Sequence, residues 1–266
     1  NCLNFGNPNR PEVFFQFREA VRGMGEACVA LGTPVTGGNV SFYNENPRGA
    51  VHPTPVVGMV GLIDSLAHIT RSGFTNVDDG IVLLGEPTDE LGGSEYLARI
   101  HDVVAGAPPR CDLERESATI EALLEAIRAG VVRSAHDCSD GGFAVALAEC
   151  CIADAEAMVG AEVELTAWSS LATRALLFGE AQARIVVSSA EPQRVVEIAR
   201  AHGVPARLIG HVRSPESGLT IRIGAQVIRS SLDRLAHAYH DAIPDIMDAS
   251  IAEVAVLEQH PQPAGG

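Results

Sequence analysis

From Glu12 to Leu31 the apolar residues Phe14, Phe17, Val21, Met24, Cys28 and Leu31 recur at spacings of three and four. That is the period of a helix with one face on a core. Pro11 stands where a helix start accepts proline, and Gly32 supplies a stop. "TPVVGMVGLI" (Thr54–Ile63) is apolar throughout and predicts a buried strand, with Pro53 and Pro55 punctuating its start. The polar, turn-rich "DSLAHITRSGFTNVDDG" then separates it from "IVLLGE", where a second buried strand begins. Helices are predicted over "ELGGSEYLARIHDVV" and "LERESATIEALLEAIRAG", the latter stopped by Gly130. A strand follows at Val131–Ala135, a glycine-led helix over "DGGFAVALAECCIA", and a turn and strand within "ALLFGEAQARIVVS". The pattern closes with a helix over "EPQRVVEIARAHG", strands over "ARLIGHV" and "LTIRIG", a last helix from about Ser231 and a frayed tail at "HPQPAGG". This is the pattern of an α/β protein (α+β layers), with an N-terminal part at 1–65, an α/β domain at 79–245 and a tail at 246–266.

Composition narrows the picture. Of 266 residues, 46% are hydrophobic but only 5% aromatic, so the core rests on Ala, Val, Leu and Ile. Nineteen Lys and Arg against 34 Asp and Glu give a net charge of −15. That excludes a nonspecific nucleic-acid or membrane-surface binder, which needs a basic face. It leaves room for a small phosphorylated ligand, because backbone N–H groups and one Mg²⁺ neutralise phosphate locally. The cysteines, at 2, 28, 111, 138, 150 and 151, form no CxxC pair and read as free thiols of a reducing cytoplasm. No run of 18 apolar residues occurs. The chain opens at Asn1 directly on a motif-like run, which suggests a piece of something longer.

Four stretches could carry chemistry. In "TPVTGGNVSFYNEN", Gly37 and Gly38 can take φ > 0 and bare their N–H groups around a phosphate oxygen. Asn39 there offers an oxygen suited to Mg²⁺, and Ser41 a donor to phosphate or carbonyl. A plain glycine turn explains the same residues. "NCLNFGNPNRPE" clusters Asn1, Asn4 and Asn7 at a helix entrance, equally an anion site or Asx-turn capping. "SAHDCSDGG" sets His136, Asp137 and Asp140 at a strand end before a glycine-led helix, either metal ligands or a solvated turn. "LFGEAQAR" alternates Glu180, Gln182 and Arg184, either as one functional face or as a polar edge with Glu180 and Arg184 solvated. "LGGSEY" has the look of an anion-binding helix start, though helix packing also accounts for its glycines.

Together these stretches, with "GEACVALGTPVTGGNVSFYNE" and "PTPVVGMVGLI", resemble in order and register the C-terminal half of the phosphoribosylformylglycinamidine synthase family. The resemblance implies an aminoimidazole-ribonucleotide-synthetase-like fold: a sheet-and-helix domain, truncated here at its start, then a complete α/β domain. It implies an ATP-dependent ligase that phosphorylates the amide oxygen of formylglycinamide ribonucleotide and lets ammonia displace the phosphate. A glutaminase subunit and a small accessory subunit are the implied partners, and the cytoplasm the implied location. Residue by residue, the resemblance gives Asn1 and Gly38 to ATP, Asn39 to Mg²⁺ and Ser41 to the ribonucleotide. Asn1 stands where some members carry Asp. The catalytic histidine and acidic metal ligands fall in the family's first half, so this chain holds no catalytic residue. His136, Asp137, Asp140 and Glu180 are correspondingly read as structural or auxiliary. The rivals are a noncatalytic packing or docking module and a sister ATP-binding enzyme of the kinase or selenophosphate-synthetase type. The sister enzyme would need an acidic Mg²⁺ cluster that this sequence does not supply.

Overall fold

The computed structural model describes residues 1–248. The described chain forms two compact units, Asn1–Ile69 with Cys111–Ile120, and Thr70–Arg110 with the described residues from Glu121 onward. The tail expected at "HPQPAGG" lies outside the described residues.

In the first unit the elements are β1 (Cys2–Asn4), α1 (Pro11–Ala30), β2 (Asn39–Ser41), β3 (Glu45–Asn46), β4 (Gly49–Ala50) and β5 (Thr54–Val56). β1 is the centre of a three-stranded sheet, parallel to β2 and antiparallel to β5. α1 matches the expected helix to within one residue at each end. Its buried residue is Val13, and Phe17 and Met24 pack partly covered against Leu3 and Phe5. Phe17 meets Phe5 and Phe42 edge to face at centroid separations of 5.5 and 5.0 Å, a favoured aromatic geometry. Phe14 and Val21 of the expected apolar stripe are exposed.

A larger correction concerns Thr54–Ile63. Only Thr54–Val56 pairs as a strand, and the expected burial is absent: Val60 is 100% and Leu62 96% exposed. The small sheet ends at β5, and its core of Leu3, Phe5 and Val13 lies elsewhere. An apolar run becomes a buried strand only where a second layer covers it.

Along the rest of the chain come β6 (Gly80–Leu84), α2 (Glu95–His101), α3 (Leu113–Arg128), β7 (Ser134–Asp137), α4 (Gly142–Ile152) and β8 (Gly160–Glu164). They are followed by α5 (Thr173–Phe178), β9 (Ile185–Ser189), α6 (Pro192–Ala201), β10 (Ala206–Arg213), β11 (Leu219–Ile223), β12 (Gln226–Ser230) and α7 (Leu232–His240). Seven strands form one sheet in the order β12-β11-β8-β10-β6-β9-β7, antiparallel throughout except for the β8–β11 pair. β6 is buried along its whole length. Its Ile81 and Leu83 join the cluster built on Phe143, Leu147, Cys150 and Cys151 of α4. Val82 and Leu84 alternate to the opposite face, and α6 packs along β6, β9 and β10.

Several boundaries differ from the expected ones for local reasons. α2 is shorter than "ELGGSEYLARIHDVV" because Gly93 has φ +68°, Ser94 caps the Leu97 N–H, and Asp102 ends the helix in the left-handed region. β7 begins at Ser134 rather than Val131. The short strands β8 and β12 and the helix α5 were not among the expected elements. All six cysteines are free, and Cys138, Cys150 and Cys151 are buried. Burial pushes the Cys138 and Cys151 thiols up to about 12, and Cys150 upward as well.

Phe143, with no exposed surface, should cost about 3–5 kcal/mol when replaced by Ala in denaturant unfolding. Leu62→Ala, at a site 96% exposed, should stay within about 0.5 kcal/mol in the same measurement. Iodoacetamide at pH 8 should label the exposed Cys2 and Cys111 and reach the three buried thiols only on unfolding. The buried thiols keep their protons in the fold above the ordinary value of 9.0. Stability should therefore fall as pH rises from about 9 toward 12, where the unfolded chain binds fewer protons.

Candidate functional site

The parallel pairing of β1 with β2 places Cys2 beside Asn39, Leu3 beside Val40 and Asn4 beside Ser41. Just ahead of that register, the Asn1 amino group donates to Gly37 O at 3.1 Å, and Asn1 O accepts from Asn39 N at 3.1 Å. Asn1, Gly38, Asn39 and Ser41 are thereby brought together from opposite sides of α1. Asn39 Nδ2 donates to Ser41 Oγ at 3.3 Å, so these side chains share one face of β2.

Gly38 has a different task from the one its neighbours suggested. A Cβ at 38 would lie 2.1 Å from Asn1 Oδ1 and 2.4 Å from Asn1 O. Gly37 and Gly38 are not among the glycines with positive φ. The backbone nest expected from a left-handed pair is therefore not formed, because the chain runs on toward its pairing with β1. Glycine at 38 makes room for Asn1.

Two residues that sequence reasoning passed over complete this region. Asn44 Nδ2 donates to Ser41 O at 3.1 Å and to Asn4 Oδ1 at 3.5 Å. Glu45 accepts from Asn7 N at 2.8 Å and pairs with Arg10 at 3.4 Å. The Asn7 side chain accepts from Asn9 N at 2.9 Å, an Asx turn ahead of α1. The polar run "YNEN" was the available signal. Chemically, Asn39 and Ser41 present the oxygen donors that Mg²⁺ prefers, and Asn39 is exposed. Among the described residues no group of three His, Cys, Asp or Glu is set to hold a metal.

The other stretches resolve differently. His136 Nδ1 lies 2.7 Å from Asp137 O, and Nε2 lies 3.2 Å from Glu149 Oε2, so both ring nitrogens are engaged. The Asp137 carboxylate accepts from Ser139 Oγ, and Asp140 is exposed. His136, Asp137 and Asp140 do not converge on one point. Arg184 is neither solvated nor aligned with Glu180 on a strand face. It is 3% exposed and donates to Ala181 O at 3.0 Å and Gly179 O at 2.6 Å. Ala183, at φ 54°, breaks the alternation that the sequence suggested. Burial lowers the Arg184 pKa, with Cys138, Glu180 and Glu90 acting against it. Beyond "LGGSEY", a cleft of about 440 Å³ is lined by Tyr96, Leu97, His101, Val103 and Arg174.

Gly38→Ala should force Asn1 off β2 and accelerate amide exchange at Asn39, whose N–H donates to Asn1 O. Gly37→Ala, with nothing within 4 Å of the added methyl, should leave that exchange unchanged.

The chain matches the family model for the AIR synthase related protein N-terminal domain over residues 1–63 and that for the C-terminal domain over residues 76–222. It is 49% identical over 250 residues to phosphoribosylformylglycinamidine synthase subunit PurL of Moorella thermoacetica, covering 93% of this chain and 33% of that protein. The PurL of Symbiobacterium thermophilum is 45% identical over 262 residues, covering 94% of this chain and 33% of that protein. The chain thus spans about a third of the length of the curated relatives it matches. Among solved structures, Thermotoga maritima PurL complexed with ATP aligns with TM-score 0.63 at 19% identity, over 89% of this chain and 37% of that one. The same protein complexed with FGAR aligns with TM-score 0.66 at 18% identity, over 88% of this chain and 39% of that one; at this identity the likeness establishes the fold. With the C-terminal model alone matching more than half of its length, the chain belongs to the AIR synthase related protein family.

Proposed function

We propose that this chain is a portion of an ATP-dependent carbon–nitrogen ligase of purine biosynthesis, contributing one wall of its nucleotide and substrate cleft. The reaction converts formylglycinamide ribonucleotide and ammonia to the amidine. The substrate's amide oxygen attacks the γ-phosphorus of ATP and ADP leaves; ammonia then adds at the former amide carbon, loses a proton, and phosphate departs. The observation that carries this reading is the β1–β2 pairing, which sets Asn1, Gly38, Asn39 and Ser41 side by side. In it, Asn1 and Gly38 meet ATP, Asn39 gives an oxygen to Mg²⁺, and Ser41 holds the ribonucleotide. The names of the relatives support it, as do solved PurL structures described as complexed with ATP and with FGAR.

Asn1 keeps a hydrogen-bonding side chain but lacks the negative charge that a carboxylate brings to a cation. Mg²⁺, when bound, screens the phosphate charge during transfer. In this reading the remaining metal ligands and the catalytic groups come from a further portion of the enzyme. The division into parts at 1–65 and 79–245, the glutaminase and small accessory subunits that deliver ammonia from glutamine, and a cytoplasmic location belong to the same proposal. A solved structure of PurLQS from Thermotoga maritima, aligned with TM-score 0.61, is consistent with such an assembly.

The purified chain alone should show no turnover of formylglycinamide ribonucleotide with ATP and ammonia. Substituted for the matching third of Moorella thermoacetica PurL, it should support turnover. Asn39→Ala in that chimera should lower Mg²⁺-dependent turnover at least about tenfold, the worth of one contact to a charged group. Undiminished activity of that variant would remove Asn39 from the site.

A further inference from the structure

We propose that Glu180 is a positioning residue: one carboxylate oxygen ties together the loop before α4 and the turn that opens α2. Glu180 Oε1 accepts from Glu95 N at 2.8 Å and from Gly141 N at 2.9 Å. Because a single oxygen takes both donors, it fixes their separation. The donors need an acceptor from elsewhere for identifiable reasons. Position 141, at the start of α4, is a glycine with no side chain to cap the helix. Ser94, the N-cap of α2, spends its hydroxyl on the Leu97 N–H, leaving the Glu95 N–H unserved. Both are early helix donors that a negative carboxylate satisfies well.

The segment carrying Glu180 is itself held from below. The buried Arg184 donates to Gly179 O and Ala181 O, the carbonyls on either side of Glu180, and Arg184 O accepts from Cys138 N at 3.0 Å. Three glycines allow the neighbouring backbones to approach. An added Cβ would lie 2.5 Å from Gly179 O at Gly142, 2.5 Å from Glu90 O at Gly179, and 2.0 Å from Ala183 O at Gly85. "LGGSEY", "SAHDCSDGG" and "LFGEAQAR" are therefore one mechanical unit with Glu180 as its tie. A disturbance of the carboxylate should be felt at both helix starts together.

Amide exchange followed residue by residue by NMR tests this. Glu180→Ala should accelerate exchange at both Glu95 and Gly141 by about tenfold or more relative to the amides of β6, since each loses a bond to a charged group. Glu180→Gln, which keeps an oxygen of the same reach, should restore most of the protection at both positions. If Glu180→Ala does not fold, Glu180→Asp, one methylene short of the same donors, is measured in its place with the same expectation. The tie is refuted if either amide exchanges as in the parent chain in the folded variant, or if Glu180→Gln protects no better than the shorter side chain. Simple loss of global stability would accelerate the β6 amides in parallel, and that outcome also refutes it.

Discussion

α4 carries a single charged residue, Glu149, on a half-buried face, and the burial of the remaining apolar side chains is the constraint on which this part of the structure depends. "GFAVALAECCI" buries Phe143, Ala146, Leu147, Cys150, Cys151 and Ile152, which requires a sheet beneath and helices beside it. β7 and β8 supply the sheet contacts, and α5 and α7 lie against its flanks. Enclosure also sets what opens the helix. Gly142 comes so close to Phe178 and Gly179 that no side chain fits there, and its φ of +72° suits only glycine without strain. The loop after α5 is thus drawn against the start of α4, and the buried Arg184 with its two carbonyl partners follows from that contact.

The first unit has no comparable enclosure. Its core is Leu3, Phe5 and Val13 with a few half-covered neighbours, and the apolar Thr54–Ile63 run stays in solvent. Its order at the candidate site comes from backbone pairing. Three residues of β1 align with three of β2, and Asn1 extends that pairing by two bonds, donating to Gly37 O and accepting from Asn39 N. The four candidate residues are neighbours because main chains pair, while two of their side chains, on Asn39 and Ser41, remain on a shared face.

Much of this was legible beforehand where the signal is local. The bounds of α1, α3, α4 and α6 follow their proline or glycine punctuation closely, although α1 buries Val13 and leaves Phe14 and Val21 of its expected stripe exposed. Local pattern failed where the answer depends on what lies opposite. Thr54–Ile63 has the composition of a buried strand, but among the described residues no layer covers it. Arg184 looks like an edge residue in sequence, yet a left-handed Ala183 turns it inward to backbone carbonyls. Gly37-Gly38 carry the signature of a tight turn, whereas Gly38 is small because Asn1 packs upon it.

The sequence by itself determined the helices marked by proline and glycine, the buried strand β6, the acidic balance that argues against a nonspecific nucleic-acid binder, and the motif order that points to the family. Those properties depend on residues a few positions apart, or on sums over the whole chain. Only the tertiary structure decided that Asn1 lies against Gly38 and Asn39, that His136 has both nitrogens engaged, and that Glu180 serves two helix starts. Apart from the His136 contact with its neighbour Asp137, these join separate segments of the chain. Their register is set by strand pairing and by how closely glycines let backbones approach, which no local pattern encodes.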